Sequence, residues 1–493
     1  MPKKSSASST RRRRRTTMPD TTGPARKPQA TVRMYRRGLG DCFLVQFTKD
    51  DGGLFSVLID CGLIGVAAGP KAKMQEVVAD IDKACHNRID VVIMTHEHWD
   101  HASGFSSQQA QAAFDAITIG EVWYAWTEHP ENKLGNRLRA ERAAKIKAAK
   151  RAARAMLQQN DNPLALARGR GVANLLQFYG VDDLNAADEK VGKGLEAFWY
   201  LRGRRDVKTQ YRHPDKDPVA LAGVGGVRAF FLGPPEDEGL IKRGERKSDD
   251  IYAFAGDLAA DESLEAAFER MGDPASRKGG PDCPFDTALC RWPEDRKEPA
   301  GALLKRLMAD TWDARDEGWR RIENDWTVAA ETLALNLDNH TNNTCLVVAF
   351  ELSPGGKVLL FAADAQVGNW ISWKDTRWTV REAQGDTRKV TGPDLLQRTV
   401  FYKVGHHGSH NATLRAQGLE QMTNDELIAF VPVFKAEAEK NRWFGMPFEP
   451  LVKRLNQKTS NRVVYSDENV PKPAIEGLRE GANGLYYEYT FER

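Results

Sequence analysis

The most informative segment of this chain is "VVIMTHEHWDHASGF", residues 91–105. A run of four apolar residues leads into three histidines and one aspartate within six positions: His96, His98, Asp100 and His101. Neutral imidazoles and carboxylates are the ligands that divalent transition metals take in proteins. Packing alone rarely produces such a cluster, because buried polar groups cost free energy unless they are paired. The stretch therefore predicts a buried strand that ends in a metal site.

Three other strand-like segments end in residues of the same kind. Asp60 ends "GLFSVLID", Asp364 ends "KVLLFAAD", and His406 and His407 end "TVFYKVGHH". Strands that lie side by side would bring these ends to one edge of a sheet, although the segments are far apart in the sequence. The ligands outnumber one tetrahedral site, which predicts one or two ions, Zn²⁺ first, with Mn²⁺ or Fe²⁺ as alternatives. Paired ions bridged by Asp364 would generate hydroxide at neutral pH.

Composition describes a globular protein without a membrane span. The 493 residues are 41% hydrophobic and 28% charged, and no window approaches 18 consecutive apolar residues. The six cysteines form no CxxC pair, which favours a reducing cytoplasm over a secreted disulfide framework.

The net charge of +3 hides an uneven distribution. Residues 1–30 carry nine Lys or Arg and one Asp, a local charge of +8, so the remaining 463 residues sum to −5. This Ser-, Thr- and Pro-rich segment predicts a disordered basic tail. The run from Arg11 to Arg15 has the chemistry to bind nucleic-acid phosphates, but a solvated tail is the favoured interpretation. No apolar segment follows Arg15, which argues against a signal peptide.

Residues 31–493 predict one domain of α/β (α+β) class, interrupted by helical insertions at about 131–216 and 238–330. The first insertion contains eight basic residues from Arg137 to Arg154 against one acid, Glu141. The favoured interpretation is that these residues form the solvated face of a helix. The alternative is that they bind phosphate groups. We also expect a helix over residues 71–87 and a hairpin around Pro354, Gly355 and Gly356.

The HxHxDH pattern followed by Gly104 resembles the metallo-β-lactamase superfamily. This resemblance implies an αββα sandwich with metals at one edge. It also implies that His96 and His98 bind a first metal, that Asp364 bridges, and that Asp60 supports the ligand loop. The second metal would be bound by Asp100, His101 and His406. We expect Asp100 and His407 to be the catalytic residues.

A narrower resemblance rests on "GLGDCFLVQF", "NNTCLVVAFEL" and "KVGHHGS". These segments are similar to the metallo-β-lactamase domain of ComEC-type DNA-uptake proteins and their soluble relatives. The chain has no channel segment, so the resemblance does not imply transport. It has Met446-Pro447 where relatives often have His-Pro.

The sequence does not identify the third protein ligand of the first metal. The superfamily usually supplies a third histidine between the HxHxDH loop and the bridging aspartate. His340 is the first candidate for it and His213 a weaker one. Asn342, Asn343 or solvent are the alternatives.

The sequence thus predicts a metal-dependent hydrolase that uses a metal-bound hydroxide, as a phosphodiesterase or nuclease. A carboxylate at position 364 resembles the dinuclear phosphodiesterase and lactonase branches, whereas lactamases have a cysteine ligand there. The expected partner is a phosphodiester or nucleic-acid substrate. We expect no interaction with a membrane. One alternative is a hydrolase of a lactone, thioester or β-lactam. Another is a non-catalytic effector module in which metal only stabilises the fold.

Overall fold

The computed structural model describes residues 29–64, 70–160, 162–186, 192–244, 306, 325–382, 385–441, 443, 445–471 and 473–492. The predicted tail, apart from its last two residues, and most of the second predicted insertion lie outside these ranges. The domain boundaries stay predictions.

Seventeen strands in the described ranges form two large sheets and one two-stranded ribbon. In chain order they are β1 (Ala30–Tyr35), β2 (Cys42–Thr48), β3 (Leu54–Cys61), β4 (Arg88–Ile93), β5 (Thr118–Ala125), β6 (Lys208–Arg212), β7 (Val219–Ala220), β8 (Arg228–Gly233), β9 (Val347–Glu351), β10 (Val358–Phe361), β11 (Arg377–Arg381), β12 (Thr387–Thr391), β13 (Thr399–Lys403), β14 (Ile428–Val431), β15 (Val463–Tyr465), β16 (Leu478–Glu480) and β17 (Tyr486–Phe491). The first sheet has eight strands in the order β16-β17-β1-β2-β3-β4-β5-β6. The second has seven, in the order β15-β14-β13-β10-β9-β8-β7.

Helices cover the outer faces of both sheets. In chain order they are α1 (Pro70–Cys85), α2 (Trp99–Ala102), α3 (Gln111–Asp115), α4 (Lys133–Leu157), α5 (Pro163–Leu176), α6 (Gly194–Gly203), α7 (Glu238–Ile241), α8 (Asp325–Asn342), α9 (Val367–Ser372), α10 (Gly392–Gln397), α11 (Lys435–Lys440) and α12 (Glu449–Lys458). The helix predicted over residues 71–87 corresponds to α1. The hairpin predicted around Pro354 is β9–β10, an antiparallel pair.

The two sheets pack face to face through aromatic side chains. Phe43 of β2 lies against Phe361 of β10, with ring centroids 5.8 Å apart, and Phe47 lies against Phe350 of β9 at 5.2 Å. Leu44, between the two β2 phenylalanines, points the other way into the core beneath the helices. Strands with both faces covered read as continuous apolar runs, which is why β2 and β9 were visible in the sequence. The predicted αββα sandwich is confirmed.

One strand lies where the sequence predicted a helical insertion. The sequence KTQYR forms β6, which pairs in parallel with β5 from Lys208 opposite Glu121 to Arg212 opposite Ala125. β6 is an edge strand and none of its five residues is fully buried, so it carries no apolar alternation. The helical prediction for residues 131–216 therefore holds for α4, α5 and α6 and is wrong for β6.

The helices α4, α5 and α8 pack on one another to form a cap against the second sheet. Three of the basic residues of α4 have contacts inside the protein. Lys150 is 2% exposed and donates to the Ala186 carbonyl, and Arg154 donates to the Leu184 carbonyl. Arg142 is also buried. The favoured reading of α4 as a solvated basic face is therefore wrong at these positions.

Within the described ranges, no helix has the length and apolar character needed to cross a membrane. The four cysteines in the described part of the chain, Cys42, Cys61, Cys85 and Cys345, are buried and form no disulfide with one another.

Candidate metal centre

Parallel strands bring the predicted ligands to one edge. β3, β4 and β5 are parallel in the first sheet, and β10, β13 and β14 are parallel in the second. The chain leaves each of these strands at the same side of its sheet, so loops from both sheets meet there. The loop after β4 and helix α2 supply His96, His98, Asp100 and His101. Asp364 follows β10, and His406 and His407 follow β13.

The first group of potential ligands consists of His96, His98 and Asp364. One ligand atom of each lies within 4.8 Å of the other two. Nε2 of His96 is 3.9 Å from Oδ2 of Asp364, and the three residues are at most 2% exposed. Neither ring nitrogen of His98, nor Nε2 of His96, has a hydrogen-bond partner among the described residues. Three buried imidazole nitrogens thus lack a partner close to a carboxylate.

The second group consists of Asp41, His101, Asp364 and His407, whose ligand atoms also lie within 4.8 Å of one another. Nε2 of His101 is 3.0 Å from Oδ2 of Asp364. Asp100 adjoins this group, because its Oδ2 is 2.8 Å from Nε2 of His407 and 3.6 Å from Nε2 of His101. Asp364 is the member common to both groups, which is the position predicted for a bridging ligand.

Asp60 holds the ligand loop from behind. Its Oδ1 accepts a hydrogen bond from the Thr95 amide at 2.8 Å, and its Oδ2 accepts one from the Thr95 hydroxyl at 2.6 Å. The same Oδ2 lies 2.8 Å from Nδ1 of His101. A carboxylate on one ring nitrogen directs the other nitrogen toward the cluster, as the outer partners of metal-ligating histidines do.

The two adjacent histidines after β13 have different surroundings. Both have positive φ, 41° for His406 and 52° for His407, so the chain turns sharply at this pair. Nδ1 of His407 donates to the Pro432 carbonyl at 2.6 Å, which leaves Nε2 directed at Asp100. Nε2 of His406 is 4.0 Å from Oδ2 of Asp364 and has no hydrogen-bond partner in the described part of the chain. The structure therefore brings His407 into the second group and leaves His406 beside Asp364.

Burial and charge divide the histidines into two kinds. Burial lowers the pKa of His98 to about 3 and that of His406 to about 4, and it holds the pKa of His96 well below its usual value. These three rings are neutral at physiological pH, as metal ligands must be. Burial also acts to lower the pKa of His101, but the charges of Asp364, Asp41, Asp100 and Asp60 outweigh it and raise that pKa.

Two charged residues at this edge were not singled out from the sequence. Lys403, the last residue of β13, is 1% exposed, pairs with Asp41 and lies 3.3 Å from Oδ1 of Asp364. Its Nζ also donates to the Ala363 carbonyl at 2.8 Å. The sequence signals for these two residues were weak: Lys403 is a lysine in an otherwise apolar strand, and Asp41 is an aspartate in the turn before β2. Lys403 offsets part of the negative charge of this edge.

Asp338 of α8 was also missed. Its Oδ1 lies 3.9 Å from Nε2 of His98, and the residue is 6% exposed. Burial raises the pKa of Asp338 to about 8, and the nearby charges of Asp364 and Asp100 add to the shift. Asp338 is one polar residue near the end of an amphipathic helix, so the sequence gives no signal that it lies beside His98.

The candidates for the third histidine lie elsewhere. His340 lines a separate cavity with Lys145 and Lys242, away from both groups. His213 contacts Glu236 at 2.9 Å and stacks on Trp126. The side chain of Asn342 donates to Asp338, and that of Asn343 bonds the Ile241 carbonyl and the Asn369 amide. None of these four is in the two buried groups, and His213 belongs instead to a more exposed third group with Asp215 and Glu236.

The cap closes over the first group. The ring of Tyr179 meets that of His98 edge-on, with centroids 4.8 Å apart, and Phe178 packs near both His98 and His406. Arg142 of α4 forms a buried ion pair with Glu97, at 2.9 Å between Nη1 and Oε2. The helical insertion is therefore joined directly to the ligand loop.

The residues at this edge fit one or two divalent ions. Five buried ligand-type atoms at this edge have no hydrogen-bond partner among the described residues. They are Oδ1 of Asp100 and Asp338, and Nε2 of His96, His98 and His406. Each such atom costs free energy unless something binds it. Imidazole and carboxylate are the donors that Zn²⁺, Mn²⁺ and Fe²⁺ accept.

Comparison with known proteins agrees with this geometry over the first part of the chain. Neither the curated proteins nor the solved structures gave a match. The family model of the metallo-beta-lactamase superfamily matches residues 35–170, a segment that holds Asp41, Asp60 and the whole HxHxDH loop. Members of that superfamily are typically metal-dependent hydrolases. From residue 35 to residue 170, the chain is thus similar in sequence to the metallo-beta-lactamase superfamily, and this segment contributes to the candidate metal centre at the sheet edge.

Proposed function

We propose that this protein is a metal-dependent hydrolase that cleaves a phosphodiester. The observation that carries the proposal is the position of Asp364, a buried carboxylate common to two groups of imidazole and carboxylate donors. A fold that only needed metal for stability would need one closed set of ligands, whereas a shared carboxylate suits two adjacent ions.

Bound divalent ions would supply acidified water and polarise a phosphoryl oxygen. His96, His98 and Asp364 are the residues to hold one ion. Asp100, His101, Asp364 and His406 are those to hold the other, and Nε2 of His406 is free for it within the described part of the chain. The neutral state of the His96, His98 and His406 rings and their free nitrogens support this assignment.

Asp100 and His407 are the residues we assign to proton handling. Their side chains are 2.8 Å apart, and the Pro432 carbonyl fixes the hydrogen of His407 on Nδ1. One proton lies between Nε2 of His407 and the Asp100 carboxylate. Burial acts to lower the pKa of His407, but the hydrogen bond to Asp100 raises it, so His407 can pass this proton to a leaving oxygen with Asp100 as its partner. Asp60 keeps His101 oriented but contacts no group that would reach a substrate.

The choice of a phosphodiester rests on the carboxylate at position 364 and on the similarity of "KVGHHGS" to ComEC-type domains. The buried cation of Lys403 offsets part of the negative charge of this edge, which favours an anionic substrate. The cap formed by α4, α5 and α8 favours a small phosphodiester or a single-stranded end over a long duplex.

The test is a substrate panel with measured metal content. The protein is loaded with Zn²⁺ or Mn²⁺ and assayed on bis-p-nitrophenyl phosphate, single-stranded DNA, RNA, a lactone, a thioester and a β-lactam. We expect phosphodiester cleavage that a chelator abolishes. Cleavage of only the last three would support hydrolysis of another bond. Bound metal without any turnover would support the non-catalytic alternative.

A further inference from the structure

Asp338 lies beside His98, a member of the first group. Its Oδ1 is buried, has no hydrogen-bond partner in the described residues, and lies 3.9 Å from Nε2 of His98, which also has none. Two donors bound to one ion at about 2.1 Å and at a tetrahedral angle are about 3.4 Å apart. A shift of about 0.5 Å by one side chain would bring these two atoms to that separation. Asp338 lies outside the 4.8 Å group of His96, His98 and Asp364, so it would have to move toward them to share their ion.

Neighbouring contacts hold Asp338 in this position. Asn342, one turn later on α8, donates to Oδ2 of Asp338 at 3.1 Å and so leaves Oδ1 directed at His98. Tyr179 joins the two partners. Its ring packs on His98, while its hydroxyl bonds the Leu337 carbonyl at 3.1 Å and the Thr341 hydroxyl at 2.8 Å. The distance between α8 and the ligand loop is thus fixed by packing.

The alternative residue on α8 cannot take this place. Side chains two positions apart on a helix point about 200° apart, since each residue turns the helix by about 100°. With Asp338 facing His98, His340 faces the opposite side, and it lines the cavity with Lys145 and Lys242.

We propose that Asp338 is the remaining protein ligand of the ion held by His96, His98 and Asp364. The inference rests on the proposed metal-dependent function and deepens it. The ion would then have two imidazole and two carboxylate donors, where a third imidazole was expected. Carboxylates suit oxygen-preferring ions, so this position should accept Mn²⁺ or Fe²⁺ more readily than a three-histidine site would.

Titration calorimetry with Mn²⁺, and separately with Zn²⁺, tests this on the metal-free full chain. The variants are Asp338→Asn, which keeps the shape and the contact with Asn342, and His340→Ala as the matched control on the same helix. Loss of a direct ligand should weaken one binding step by more than the 10–100-fold typical of outer contacts, with the other step retained. His340→Ala should bind both ions as the wild type does.

A Co²⁺-loaded sample gives a readout that does not depend on turnover. Asp338→Asn should change the visible absorption of the Co²⁺ ion, while His340→Ala should not. Wild-type affinity and an unchanged spectrum in Asp338→Asn would overturn the role of Asp338 and leave the proposed function standing. If the wild type itself binds no divalent ion, the proposed function fails, and this inference fails with it.

Discussion

Nζ of Lys403 lies 3.3 Å from Oδ1 of Asp364, the carboxylate shared by both groups of potential ligands, and also pairs with Asp41. Burial alone would lower the pKa of Lys403, but the charges of Asp41 and Asp364 raise it. The lysine is therefore a permanent cation inside the metal edge. It compensates part of the charge that a divalent ion would otherwise have to balance alone.

We expect Lys403→Met to destabilise the metal-free protein by about 3–5 kcal/mol, because it leaves two buried carboxylates without their cation. Urea unfolding in the presence of a chelator measures this. Added Mn²⁺ should recover part of the loss, since the ion supplies positive charge to Asp364. The control is Lys389→Met, an exposed lysine on β12, which should change stability by less than about 0.5 kcal/mol. Equal stability of the two variants would contradict the role given to Lys403.

Replacement of His98 or Asp100 by Ala should abolish hydrolysis and reduce the bound metal while the fold persists. Both residues are fully buried at the metal edge, and their loss removes donors that hold the ions. Elemental analysis and a phosphodiester assay check this together. His86→Asn is the control, because His86 is exposed, lies outside both groups and has a positive φ of 51° that Asn tolerates. Unchanged activity in both alanine variants would refute the proposed enzyme.

The ion pair between Arg142 and Glu97 should couple the cap to the ligand loop. Arg142→Met leaves the Glu97 carboxylate buried without a partner, which typically costs about 3–5 kcal/mol. The double variant Arg142→Met with Glu97→Gln removes both charges and should recover much of that loss. A double-mutant cycle from urea unfolding gives the coupling energy. Strictly additive effects would mean that the pair does not join the two parts.

Metal binding should stabilise the folded protein by mass action. At a free ion concentration about 100 times the dissociation constant, one site adds about 2.7 kcal/mol to the free energy of unfolding. Thermal unfolding with and without Mn²⁺ or Zn²⁺ should show a rise in Tm that EDTA reverses. Asp364→Asn should lose most of this rise, because both sites share that residue. An equal rise in Asp364→Asn and in the wild type would place the ions elsewhere.

The sequence predicted the parts of the site that local spacing and apolar runs encode. His96, His98, Asp100 and His101 crowd one loop, and Asp364 follows a short apolar run that predicts a buried strand. The two-sheet sandwich was implied by the family resemblance that the same loop carries. These signals are short-range, so they do not depend on which elements the fold brings together.

The residues that were missed depend on long-range contacts. Asp338 reaches His98 only because Tyr179 packs α8 against the ligand loop, 240 positions away in the chain. Lys403 was correctly placed in the strand before the histidine pair, but its contacts with Asp41 and Asp364 depend on how the strands are arranged. The choice between His406 and His407 follows from two positive φ angles and from the Pro432 carbonyl, which no local pattern encodes.

The place of β17 has a consequence for synthesis of the protein. β17 lies between β16 and β1, and its register pairs Arg33 with Glu488, 455 positions apart. At about 5–20 residues per second, a ribosome needs roughly 20–90 s between these two positions. Through that interval the outer side of β1 presents unpaired backbone groups, which is the kind of edge on which nascent chains associate. The emerging chain should therefore need a chaperone over β1 until its last strand arrives.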